Sequence, residues 1–173
     1  GQGTCGLELM EQLAERELQP DWVVSPVGGG GLLAGVTVAV KSRAAAVRVV
    51  GVEPDNFDDH LRSKLAGERV AINATGQTLC DSLMAPTPGE LTWSITGRQV
   101  DDFVTVSEDQ VAHAVSYAFK YLKLVVEPGG SVALAALLQG KLDIAGATVA
   151  VILSGGNVDA TTFCRCLEQF PEP

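Results

Sequence analysis

The chain has 173 residues, with 12 Lys+Arg against 21 Asp+Glu and a formal net charge of −9. That length suits a single domain, residues 1–173, and a composition of 46% hydrophobic and 19% charged residues excludes a disordered chain. The acidic balance, with no Lys/Arg cluster to offset it, excludes nucleic acid as an expected partner, and no apolar run approaches the ~20 residues that cross a bilayer, which excludes a membrane.

Leu9, Met10 and Leu13 share one helical face between Thr4 and Leu18, and Pro20-Asp21 ends that helix. Trp22 to Val27 reads as a short buried strand that runs into Gly28-Gly29-Gly30-Gly31. A helix resumes from Leu32 to Lys41, and Val47 to Val52 is a second strand ending at Glu53-Pro54. Strand, glycine loop, helix, strand is the pattern of a parallel sheet with crossover helices.

The middle is less regular. Asp55 to Leu65 reads as a loop followed by a helix, Gly67 to Gly76 as irregular, and Pro86, Pro88 and Gly89 as a turn. Phe103 to Val106 is strand-like. Ser107 with Gln110 predicts a capping box and a helix whose apolar stripe is Val111, Val115, Ala118 and Leu122. Glu127-Pro128-Gly129-Gly130 is expected to interrupt it before a helix from Ser131 to Leu138. Thr148 to Leu153 is the most strand-like run; it ends in Ser154-Gly155-Gly156-Asn157, and Asp159 is the expected N-cap of a last helix. The fold class expected is α/β.

Several chemistries lack their residues. Cys5, Cys80, Cys164 and Cys166 form no C-x-x-C pair, and His60 and His113 are far apart, so no zinc site is visible. No G-x-S-x-G turn advertises a serine nucleophile. The start, Gly1-Gln2-Gly3-Thr4, has neither a basic segment nor an apolar signal core, which with the reduced cysteines predicts a soluble cytoplasmic protein.

Two glycine-rich loops, after Val27 and after Leu153, fall at strand ends, where a parallel sheet binds its ligands. Gly28 to Gly31 before a helix is a phosphate cradle on physical grounds, since glycine lets backbone N–H groups approach an anion and the helix adds its positive end. Two ligands compete. Gly29-x-Gly31-x-x-Ala34 with Glu53 beyond it satisfies a relaxed dinucleotide fingerprint. That fingerprint leaves the second loop unexplained.

Taken in order, Gly1-Gln2-Gly3-Thr4, Pro26 to Leu32, Gly51-Val52-Glu53-Pro54, Asp55-Asn56-Phe57-Asp58-Asp59, Thr78-Leu79-Cys80-Asp81, Glu127-Pro128-Gly129-Gly130 and Ser154 to Asp159 span almost the whole chain. The set resembles the threonine dehydratase and serine racemase family, pyridoxal-phosphate enzymes of fold type II. The resemblance implies the large domain of such enzymes, three layers αβα around a mostly parallel sheet. It implies pyridoxal phosphate as cofactor, with Gly28, Gly29, Gly30, Gly31 and Leu32 supplying N–H groups to the phosphate. Ser154 would donate to the pyridine nitrogen, beside Gly155, and Glu127 would lie near the ring. Gly129 stands where many relatives have Ser or Thr.

Glu53, the carbonyl of Phe57, and Asp59 match the family's divalent cation positions, and oxygen-only ligands suit Mg²⁺ or Ca²⁺. The implied reaction is β-elimination of a small hydroxy amino acid to a 2-oxo acid and ammonia. The family's Schiff-base lysine lies in a Ser-Phe-Lys type motif; Lys41, Lys64, Lys120, Lys123 and Lys141 all lack that setting. The expectation is therefore a fragment or half-enzyme without its catalytic lysine and small domain, inactive alone. It would pair with a lysine-bearing chain or form a homo-oligomer, in keeping with a mean hydropathy of +0.22. The alternatives are the dinucleotide module on Gly29, Gly31 and Glu53, and a non-enzymatic oligomeric binding domain.

Overall fold

Strands that are apolar on both faces need helices on both faces, and the computed structural model, which describes residues 1–170, has that arrangement. Its helices are α1 (Gly3–Glu15), α2 (Gly31–Arg43), α3 (Asp59–Ala66), α4 (Glu90–Gln99), α5 (Glu108–Tyr117), α6 (Pro128–Leu138) and α7 (Ala160–Gln169). The strands are β1 (Trp22–Pro26), β2 (Arg48–Pro54), β3 (Asp102–Val106) and β4 (Val149–Val151), in the order β3-β2-β1-β4, all parallel. Register pairs Val23 with Val49 and with Ala150, and Val52 with Val104.

Alternation along the strands splits the core into two layers. Val23, Val49 and Phe103 pack with Leu33, Val36 and Val40 of α2. Val24, Val50, Val52 and Val106 pack with Val111 and Ala114 of α5 and Val132 and Ala133 of α6. The fold is α/β with a parallel sheet, as the order of elements predicts. Among the described residues, no helix is long and apolar enough to cross a membrane.

Three elements differ from the sequence reading. Glu127-Pro128-Gly129-Gly130 opens α6 instead of interrupting a helix: Pro128 takes the first helical position, where its missing N–H leaves nothing unpaired that the helix would pair. α4 is a helix that the reading left out, because Thr, Trp, Ile and Gly within Glu90–Gln99 are indifferent helix formers and the apolar stripe is weak. The stripe of α5 holds for Val111, Val115 and Ala118, which are buried, but not for Leu122, which is exposed. A π-helical turn over Ala118–Leu122 widens the helix there and rotates Leu122 off the core face, ending at Lys123 in a left-handed conformation (φ 61°). The Ser107–Gln110 capping box and the Asp159 cap, which accepts from Thr162 N at 3.0 Å, both form.

All four cysteines are free thiols. Burial, with the Glu108 carboxylate nearby, pushes Cys80 up to about 12 from 9.0. The unfolded chain therefore loses this proton first, so stability is expected to fall between pH 9 and 12, by at most ~1.4 kcal/mol per pH unit from this group. Urea titrations of the protein and of Cys80→Ala across that range check it, the variant falling less steeply. At pH 8, iodoacetamide should label exposed Cys164 and leave Cys80 unmodified until denaturant is added.

Candidate functional site

The sheet order explains why two turns far apart in sequence meet. β2 and β3 step away from one side of β1 and β4 lies on its other side, so the chain reverses direction between β1 and β4. In an open parallel sheet, the crevice beyond the carboxyl ends of such a strand pair is the ligand-binding position. β1 leads there into Gly28 to Gly31, and β4 into Ser154. A cavity of about 380 Å³ opens at that edge, lined by Gly28, Gly29, Gly30, Gly31, Leu32, Glu127 and Ser154. Its size is that of a small-ligand pocket. Gln2, Ser82 and Leu83 also line it, and the sequence reading singled out none of these three for the site.

The four glycines have different reasons. Gly30 caps α2 at φ 89°, and a Cβ there would lie 2.9 Å from His60 Nε2 and from Thr92 Oγ1. A Cβ on Gly28 would lie 3.2 Å from Leu83 Cα. Gly29 and Gly31 face open space, with nothing within 4 Å of such an atom. Two glycines are thus demanded by the protein's own packing, and two leave bare backbone at the cavity. No side chain caps α2, so its positive dipole end faces the cavity edge with its first-turn N–H groups uncapped by any side chain. The loop is held from behind: Gly29 O accepts from Thr92 Oγ1 at 2.6 Å and Gly89 N at 3.2 Å. The start of α4, which the sequence did not reveal, sets the shape of the cradle.

On the facing side, Glu127 N donates to Gly155 O at 3.0 Å, while its carboxylate accepts from Asn157 N at 3.0 Å and Ser82 Oγ at 3.3 Å. Gly155 does not line the cavity; it stands behind Glu127, where a Cβ would lie 2.8 Å from Oε1. Close approach of Gly130 to Gly155 brings the start of α6 against the turn after β4, and a side chain at Gly129 would run into Ser82 Oγ. None of the five lysines lines the cavity.

Beneath the loop lies a second group. Glu53, Asp59 and His60 are fully buried, and one ligand atom from each lies within 4.8 Å of the others. Glu53 accepts from His60 N at 2.8 Å and Leu61 N at 2.9 Å, anchoring the start of α3. Both carboxylate oxygens of Asp59 and both ring nitrogens of His60 have no hydrogen-bond partner. Burial raises the Glu53 carboxyl above its ordinary range against the lowering effect of His60. Burial pulls His60 down, yet the Asp59 and Glu53 carboxylates outweigh it and the net direction is up. Glu53 and Asp59, two of the three expected cation positions, fall in this group and Phe57 is buried; His60 joins them, which the sequence did not reveal because nothing in it tells this position from that of a core histidine. The dinucleotide reading needs Glu53 open to a ribose. It is instead sealed under the loop, both oxygens engaged by α3.

Fold and crevice together define an α/β domain that presents a glycine-walled cavity at its switch point. The chain belongs to the family of pyridoxal-phosphate dependent enzymes, whose description matches residues 1–155. It is 40% identical over 169 residues to L-threonine ammonia-lyase of Thermotoga maritima, covering 98% of this chain and 41% of that protein. The crystal structure of a T.th. threonine deaminase superposes with a TM-score of 0.86 at 43% identity, covering 92% of this chain and 56% of that one. Maize serine racemase superposes with a TM-score of 0.84 at 35% identity, covering 97% and 51%. The chain spans about half the length of the relatives it matches.

Proposed function

We propose that these 173 residues are the cofactor-phosphate half of a pyridoxal-phosphate dependent lyase that converts a hydroxy amino acid to a 2-oxo acid and ammonia. The observation that carries this reading is the single cavity shared by the glycine loop, Glu127 and Ser154. When bound, pyridoxal phosphate supplies the electron sink for chemistry at an amino-acid α-carbon. Gly28 to Gly31 and Leu32 hold its phosphate through backbone N–H groups at the positive end of α2. The Ser154 hydroxyl would donate to the ring nitrogen, and being neutral it would not keep that nitrogen protonated as a carboxylate would. Glu127, fixed by Asn157 N and Ser82 Oγ, shapes the wall beside the ring. Leu83 and Val27 line the same cavity and would shield a bound group from water.

The Schiff-base lysine comes from polypeptide outside these residues, either a lysine-bearing partner or further chain. Exposed Phe119, Leu122, Leu124 and Val125, just before Glu127, support a surface that other polypeptide covers. A divalent cation, Mg²⁺ or Ca²⁺, on Glu53, the Phe57 carbonyl and Asp59 belongs to the same reading, supported by the unpartnered buried oxygens of Asp59. Its effect is to hold α3 under the loop. Stripping it with EDTA should lower Tm by about 5–10 °C relative to protein with the ion at a hundred times Kd.

The test is a titration of the 173-residue chain with pyridoxal phosphate and with NAD⁺, followed by borohydride reduction and mass analysis. Expected is pyridoxal-phosphate binding that inorganic phosphate competes away, no adduct at a specific lysine, and no 2-oxo acid from threonine or serine. Turnover should appear when a lysine-bearing half is supplied. A stoichiometric adduct at one lysine with turnover refutes the half-enzyme reading, and binding of NAD⁺ in place of pyridoxal phosphate refutes the cofactor.

A further inference from the structure

We propose that His60 is a nitrogen ligand of the buried cation site, which makes it a mixed imidazole–carboxylate site for a first-row divalent transition ion. The inference rests on the cation reading above and changes its donor chemistry from oxygen alone.

The geometry carries it. His60 Nδ1 lies 3.5 Å from Asp59 Oδ2 and 3.7 Å from Glu53 Oε1. Those distances are too long for hydrogen bonds, which fall at about 2.7–3.2 Å. Ligand bonds of about 2.1 Å at tetrahedral to octahedral angles place neighbouring ligand atoms about 3.0–3.5 Å apart, so the Asp59 separation is that of two ligands sharing one ion and the Glu53 separation is slightly longer. The three side chains are fully buried, and Nδ1, Nε2 and both Asp59 oxygens have no other partner. Leaving such groups unmet is destabilising even when they are neutral. One cation answers Nδ1 and the carboxylates together.

The site is also built. Glu53 is tied by two backbone N–H groups of α3, and Ser63 Oγ donates to Asp59 O at 2.6 Å. The His60 ring is wedged beside Phe103, with centroids 5.3 Å apart, and Trp93, at 6.1 Å, so Nδ1 is held toward the carboxylates. Imidazole suits Fe²⁺, Ni²⁺, Cu²⁺ and Zn²⁺, whereas Mg²⁺, Ca²⁺ and Mn²⁺ take oxygen, so nitrogen ligation of a Mn²⁺ probe is a demanding test of the site.

Pulsed electron paramagnetic resonance on the metal-free protein loaded with one equivalent of Mn²⁺ tests this. Expected is ¹⁴N modulation from a directly bound imidazole, no displacement of Mn²⁺ by equimolar Mg²⁺, and loss of the modulation in His60→Gln with at least tenfold weaker Mn²⁺ binding. The wild-type spectrum needs no variant to fold. Bound Mn²⁺ without ¹⁴N modulation, or modulation that survives in His60→Gln, overturns the ligand role while the oxygen-only cation reading stands. Failure to bind Mn²⁺, Mg²⁺ and Ca²⁺ alike overturns both.

Discussion

Gly30→Ala should destabilise the protein by about 2–4 kcal/mol and abolish binding of pyridoxal phosphate, whereas Gly29→Ala and Gly31→Ala should leave stability within about 1 kcal/mol of the parent. At Gly30 a methyl group meets two penalties. The left-handed backbone at φ 89° disfavours any side chain, and the added carbon would sit 2.9 Å from His60 Nε2 and Thr92 Oγ1, both on elements packed against the loop. Relief requires the loop to move away from α3 and α4, which disassembles the cradle. At Gly29 and Gly31 the methyl meets open space, so only the ligand is obstructed. Urea denaturation with phosphate-competition binding separates the three. Equal stability losses at all three positions would show that the loop's rigidity, not the contact at Gly30, governs the fold.

Glu53→Ala should cost about 3 kcal/mol, the second large effect, because two N–H groups at the start of α3 lose their buried acceptors. Glu53 accepts from His60 N and Leu61 N at 2.8 and 2.9 Å, and no solvent reaches the site to replace it. Glu53→Gln keeps the side-chain volume and one acceptor oxygen. It leaves one of the two buried N–H groups facing an amide NH2, so it should cost about 1–3 kcal/mol in metal-free protein, less than Glu53→Ala, and it should also lose most of the Tm gain that a divalent cation produces. Thermal melts with and without the ion distinguish a structural acceptor from a ligand. A variant that retains the full cation-dependent gain would place the ion elsewhere.

Local sequence signals were legible where one interaction dominates. Val-rich runs marked β1, β2 and β3 because a strand buried on both faces tolerates little else, and the Ser107–Gln110 pair marked α5 because a capping box is satisfied within four residues. Pro128 misled because proline ends a helix from within and begins one at its first turn, and the sequence pattern does not distinguish the two. α4 was hidden because its stability comes from contacts: Lys64 Nζ donates to Val100 O at 2.8 Å at its end, and Thr92 reaches Gly29 across 63 residues. The π turn that turns Leu122 outward leaves no periodic trace at all.

The order of motifs alone determined the family and the α/β class, since glycine turns and caps depend on neighbours within a few residues. Tertiary structure decided the rest. Only the placement of β4 against β1 brings Ser154 to the glycine loop, and only the docking of α3 under Gly30 turns Glu53, Asp59 and His60 into one buried group. The physical reason is that sheet order and helix docking are set by burial summed over the whole core, whereas a turn or a cap is settled by a few hydrogen bonds along the chain.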